Sequence, residues 1–199
     1  MEIPHCDGLP FLVAQGVEAA NHFQGESFGT KEIEQILRDM RREKENIILI
    51  GMPGVGKTTV GKALGEEMGR TCVDVDQELE KEIGDISNYI TEQGEDAFRE
   101  KEAEMIAKLG TQTGLVISTG GGCVTVPKNF AHLRQNGRIY QLTQPIENLS
   151  TTGRVLSSGG LDRLRELEEI RTPMYESFAQ CIVEHNRNAP ETVAAILED

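Results

Sequence analysis

From residue 46 onward, short apolar runs alternate with longer amphipathic stretches. The runs fall at 47–50, 72–75, 115–118, 138–142 and 181–184, and each is followed by a segment of helical periodicity. Runs of four or five residues have the length of buried strands. Strands that alternate with helices form βαβ units, which build a parallel sheet covered on both faces, the α/β class. Two of the intervals are long. Residues 77–114 read as two helical segments with Gly94 between them, and 143–180 as a short helix, Ser157-Ser158-Gly159-Gly160, and a long helix. Pro190 and Glu191 open a last helix carrying Val193, Ile196 and Leu197, since proline suits a first helical turn.

The pattern before residue 46 is different. Leu9 to Gly25 holds one short amphipathic segment with Leu12, Gly16, Ala20 and Phe23 on a face, followed by a polar gap. Residues 31–45 are densely charged, with Ile33, Ile36, Leu37 and Met40 at i, i+3, i+4 and i+7, the signature of a solvated linker helix. The chain thus divides into a helical extension, 1–45, and an α/β domain, 46–199.

Between the first strand and its helix lies Gly51-Met52-Pro53-Gly54-Val55-Gly56-Lys57-Thr58. It fits G-x-x-x-x-G-K-S/T, the loop that wraps backbone N–H groups around a polyphosphate. Val60, Leu64 and Met68 then recur at helical spacing, so the positive end of a helix points at the same place. Gly54, Val55, Gly56, Lys57, Thr58 and Thr59 are the candidate ATP-binding residues. Lys57 would reach the β- and γ-phosphates and Thr58 would ligate Mg²⁺.

Charge sharpens this picture. The net charge of −13 argues against nucleic acid or an anionic membrane as a partner. ATP is itself an anion, so a few placed cations must hold it. No lysine follows Lys128, and only Arg134, Arg138, Arg154, Arg163, Arg165, Arg171 and Arg187 remain beyond it. Four scattered cysteines, Cys6, Cys72, Cys123 and Cys181, form no metal or redox pair. With no apolar run of the ~20 residues that span a bilayer, the expected address is the cytoplasm.

Three further groups carry chemistry. Asp74 and Asp76 close the second strand; as residues i and i+2 they would face the same way, at the sheet edge where ligands bind. One could support Mg²⁺ and the other deprotonate a substrate hydroxyl; the alternative is a polar connection with Asp76 as a helix cap. Arg99 and Arg171 could clamp an anion or simply be solvated helix residues. Gly120, Gly121 and Gly122 allow close approach of a ligand, or a flexible turn.

Together these residues resemble shikimate kinase over about 46–197. The likeness rests on the phosphate loop, Asp74-Val75-Asp76, Gly94-Glu95 with Phe98-Arg99 and Glu102, the triple glycine, and Arg171-Thr172-Pro173-Met174-Tyr175. It implies a five-stranded parallel sheet, a substrate-binding insert, a lid, and transfer of the γ-phosphoryl of ATP to the 3-hydroxyl of shikimate. By that resemblance Asp76 binds the ring hydroxyls, Arg99 and Arg171 hold the carboxylate, and Gly120, Gly121 and Gly122 contact the ring. Catalysis would then fall to Asp76, Lys57 and Arg154, with Thr58 and Asp74 serving the metal, and Pro190 would line the adenine site. The lid departs from the family's R-P-L-L: here it reads Thr152-Gly153-Arg154-Val155-Leu156, several residues shorter. The segment from Asp7 to Gly16, with Phe23 and Gly25, is similar to the C-terminal tail of shikimate dehydrogenase, whose shikimate-contacting glutamine corresponds to Gln15. That likeness implies part of a dehydrogenase–kinase fusion. Two rival readings remain at this point, a kinase for another hydroxy-acid and a kinase-like binding module without turnover.

Overall fold

The structure, a computed structural model, describes residues 8–24, 28–149, 160–186 and 188–199. The chain separates into two compact units, Met1–Glu45 and Asn46–Asp199. In the first, α1 (Leu9–Gln24) packs against α2 (Thr30–Lys44). The expected apolar face of α1 is not the one that packs. Val13 and Val17, one turn apart, are buried, whereas Leu12 and Phe23 stand exposed. The Asn21 side chain secures the return of the chain, donating to Phe28 O (2.9 Å) and accepting from Phe28 N (2.7 Å). No residue of α2 is buried, as its charge pattern predicts.

The second unit is built on β1 (Asn46–Gly51), β2 (Cys72–Asp74), β3 (Val116–Ser118), β4 (Gly137–Thr143) and β5 (Cys181–Glu184). They form one five-stranded sheet in the order β2-β3-β1-β4-β5, parallel throughout. All six residues of the central strand β1 are buried, which a parallel sheet with helices on both faces requires. Asn46, fully buried, pins the start of β1: its side chain donates to Gln112 O (2.7 Å) and accepts from Leu115 N (2.8 Å). The register sets Leu49 beside Ser118, and Ser118 beside Asp74. The C-terminal ends of β1, β2 and β3 therefore share one edge, and every chain segment leaving that edge can meet the others.

The helices are α3 (Lys57–Met68), α4 (Val75–Ile83), α5 (Ile86–Gln93), α6 (Glu95–Gly110), α7 (Lys128–Arg134), α8 (Gly160–Phe178) and α9 (Ala189–Glu198). Two differences from the expected pattern matter. Val75 opens α4 instead of extending β2. The stretch 77–114 also breaks twice, because Gly84 adopts a positive φ of 77° and Asp85 caps α5 by accepting from Asn88 N (2.8 Å). Glycine is suited to that left-handed exit, and the Gly84-Asp85 pair was its signal in the sequence.

Candidate active site

Residues 52–56 link β1 to α3 and deliver Lys57 and Thr58 at the helix start. Gly56, with φ of 99°, is the residue before α3; such a φ favours glycine. Lys57 is buried, and its ammonium donates to Gly51 O (2.8 Å) and Met52 O (3.0 Å). The cation is thereby held over its own loop. Thr58 Oγ1 donates to Asp74 Oδ2 (2.6 Å), while Asp74 Oδ1 accepts from Asp76 N (3.1 Å) and Gln77 N (3.3 Å).

Asp74 is thus the N-cap of α4, and Asp76 lies in the first helical turn. The i, i+2 strand geometry expected for this pair does not hold, nor is Asp76 the cap. The two carboxylates divide differently: Asp74 faces Thr58, and Asp76 faces the triple glycine. Thr58 and Asp74 suit a divalent cation, since their oxygens keep free lone pairs beside the phosphate loop. Among the described residues no group of three His, Cys, Asp or Glu could hold a metal.

The triple glycine after β3 is required by its neighbours. A β-carbon at Gly120 would overlap Glu102 Oε1 and lie 2.8 Å from Asp76 Oδ1. At Gly121 it would come within 2.8 Å of Pro53, and at Gly122 it would overlap the Arg99 guanidinium. Arg171 NH1 donates to Gly121 O (3.2 Å), and the Tyr175 hydroxyl, one turn further along α8, donates to the same oxygen. Arg99 and Arg171 are both buried, so neither is a solvated helix residue, and both border the glycines.

Arg99 is held on two sides. NH1 donates to Glu102 Oε2 (2.6 Å), and Nε and NH2 donate to Glu95 Oε1 (3.3 and 3.0 Å). Glu102 is completely buried and its Oε1 has no partner. Burial pushes its carboxyl up, and the charge of Asp76 adds to this, against the opposing Arg99 guanidinium. Burial alone would lower Arg99, but Glu102 and Glu95 outweigh it and hold the guanidinium firmly charged. Cys123 lies directly behind the glycines, and burial pushes its thiol up to about 12; it is inert packing. Glu95, Glu102 and Tyr175 were not among the expected site residues, although the Arg99–Glu102 spacing of one helical turn was the available signal.

On the other side of the phosphate loop an open pocket of about 410 Å³ is lined by Gly54, Val55, Gly56, Thr59, Gln144, Asn148, Leu149, His185 and Ala189. Pro190, expected to line a base site, is exposed next to Ala189 at the start of α9. Arg154 lies outside the described residues.

The shikimate kinase family profile matches residues 53–199. The chain belongs to the shikimate kinase family. A shikimate kinase of Thiobacillus denitrificans is 37% identical over 163 residues, covering 78% of this chain and 89% of that protein. One from Acinetobacter baylyi is 38% identical over 157 residues, 75% of this chain and 87% of its own length. Among solved structures, shikimate kinase from Acinetobacter baumannii in complex with shikimate superposes with a TM-score of 0.71 at 32% identity, covering 80% of this chain and 94% of that one. A gluconokinase from Sinorhizobium meliloti, at 19% identity and TM-score 0.53, shares the fold alone. Membership of the shikimate kinase family makes the chain a phosphotransferase with ATP as co-substrate, built on the five-stranded parallel sheet described above.

Proposed function

We infer that the chain transfers the γ-phosphoryl of ATP to the 3-hydroxyl of shikimate, a step of aromatic amino-acid biosynthesis. The observation that carries this reading is the wall formed by Asp76, Arg99 and Arg171 around Gly120–Gly122, next to the phosphate loop. Two arginines suit a carboxylate, since each guanidinium offers a planar fork of donors. Glu95 is half-exposed and can yield its place on Arg99 to the substrate carboxylate. The glycine backbone lets the ring approach closely, and Asp76 accepts the proton of the 3-hydroxyl. That oxygen attacks the γ-phosphorus as the bond to the bridging oxygen of ADP breaks. Lys57 and Arg154 stabilise the charge on the transferred group, because positioning and electrostatics supply most of the catalysis in such transfers. Thr58 and Asp74 would hold Mg²⁺, which neutralises charge on the β- and γ-phosphates.

A kinase for another hydroxy-acid would share the paired arginines, which answer to any carboxylate; what favours shikimate over it is the match to the shikimate kinase family across residues 53–199. A binding module without turnover would have no use for the intact set of Lys57, Thr58, Asp74 and Asp76. Thiols at Cys72, Cys123 and Cys181 fit a reducing cytoplasm, the location we propose. Among the described residues no helix is long and apolar enough to cross a membrane. For residues 1–45 we propose a dehydrogenase-like tail followed by a charged linker helix, part of a dehydrogenase–kinase fusion, supported by their standing as a separate compact unit with Phe11, Leu12 and Phe23 exposed. The deciding experiment is a coupled ADP assay with ATP and Mg²⁺. ADP should form with shikimate and not with gluconate, quinate or nucleoside monophosphates; equal turnover of gluconate, or none with shikimate, overturns the reading.

A further inference from the structure

His185 has no part in the chemistry above, yet among the described residues it is the one buried histidine, and it lines the pocket beside the phosphate loop. It follows β5 directly, and its backbone N–H donates to Thr143 O (2.7 Å) at the end of β4. The ring makes two contacts that link separate parts of the nucleotide side. Its Nδ1 lies 2.7 Å from Thr192 Oγ1, which is buried and also bonds Asn188 O (3.0 Å). Its other edge lies against Gly56: a β-carbon there would sit 2.8 Å from Nε2 and 3.1 Å from Cδ2.

The Thr192 hydroxyl and the ring Nδ1 share one hydrogen bond whose direction is set by the tautomer, and in either tautomer the Nε2 edge of the imidazole faces Gly56. Burial lowers the pKa of the ring, in keeping with a neutral imidazole at this site. Gly56 immediately precedes Lys57 and Thr58 and holds the left-handed turn that starts α3. A rigid ring edge against that turn restricts how far the loop can relax. The first turn of α9, through Thr192, keeps the ring from rotating away.

We propose that His185, held by Thr192, is a positioning residue for ATP: its imidazole edge props Gly56 so that the loop amides, Lys57 and Thr58 keep the arrangement that receives a triphosphate. The proposal rests on the kinase reading for its ligand, but it concerns ATP binding before any shikimate is present. Holding the loop in its bound conformation raises affinity by reducing what must be ordered on binding.

The test uses the full chain and ATP with Mg²⁺, measured by calorimetry without shikimate, alongside steady-state kinetics. His185→Asn can still donate to Thr192 from its amide but is too short to reach Gly56, so the fold should persist without the prop. It should weaken ATP about tenfold or more and raise the KM for ATP similarly. The KM for shikimate should stay within about twofold. His185→Gln, long enough to reach Gly56, should recover part of the ATP affinity, and Thr192→Val should weaken ATP in the same direction as His185→Asn. Unchanged ATP affinity in His185→Asn, or shikimate weakened as much as ATP, overturns the proposal. A parent chain that binds ATP yet leaves shikimate unphosphorylated would defeat the kinase reading and leave this inference standing.

Discussion

Arg99→Lys separates the substrate site from the nucleotide site. The guanidinium of Arg99 makes three hydrogen bonds to two carboxylates at once, to Glu102 Oε2 through NH1 and to Glu95 Oε1 through Nε and NH2. It also fills the space against Gly122 that no β-carbon could share. A lysine ammonium is a point charge that reaches one of these places and loses the planar fork. Glu102 is fully buried, with one oxygen already unpartnered, so it would claim the ammonium first. The substrate carboxylate then loses a charge-assisted hydrogen bond of about 1.5–3 kcal/mol. At about 1.4 kcal/mol per decade this is a loss of roughly 10- to 150-fold in shikimate affinity. The ATP side should be untouched, since the Lys57 ammonium bonds Gly51 O and Met52 O and Thr58 bonds Asp74, away from Gly122. The assay pairs the KM for shikimate with a calorimetric Kd for ATP measured without shikimate. Gly122→Ala, which displaces the same guanidinium, should reproduce the pattern. Equal weakening of ATP and shikimate in Arg99→Lys would refute the assignment, placing Arg99 in the nucleotide site or in the fold.

Further expectations test the proposed function. Arg154→Ala should lower kcat by about 10²-fold with little change in shikimate affinity, because the contact proposed for it with the transferred phosphoryl would form chiefly in the transition state; full kcat would remove Arg154 from the lid. The shortened lid should also discriminate purines weakly, so GTP should be used well relative to ATP in the same kinetic series. Deleting residues 1–29 should leave kinase activity within a few-fold, and loss of activity or solubility would show that this segment supports the kinase unit. Burial lowers the His185 pKa below its ordinary value of 6.5, so the unfolded chain takes up the proton that the native state resists. Its stabilising contribution is complete above about pH 6.5 and is lost as pH falls toward the lowered value. The Tm should therefore drop less between pH 7 and pH 5.5 in His185→Asn than in the parent, and an equal drop in both would contradict this.

The alternation of short apolar runs with helical periods determined the α/β class, and the glycine pattern of 51–58 determined the reaction class, because both are local. A buried parallel strand must be apolar along its length, as Ile47-Ile48-Leu49-Ile50 is, and a phosphate loop needs its glycines at fixed spacing. Five motifs together also carried the family resemblance. What the sequence left open was decided by packing between distant segments. Asp74-Val75-Asp76 reads as a strand with two carboxylates on one face. The structure ends β2 at Asp74 because its carboxylate caps α4 and bonds Thr58, sixteen residues earlier. Val13 and Val17, not Leu12 and Phe23, form the buried stripe of α1, since α2 selects which side of a weakly patterned helix is covered. Arg99 and Arg171 were ambiguous as residues of charged helices. Only the sheet register, which brings the ends of β1, β2 and β3 to one edge, sets both beside Gly121 and Gly122. The link from His185 to Gly56 joins segments more than a hundred residues apart through a lone imidazole, and no periodicity or spacing in the chain announces such a contact.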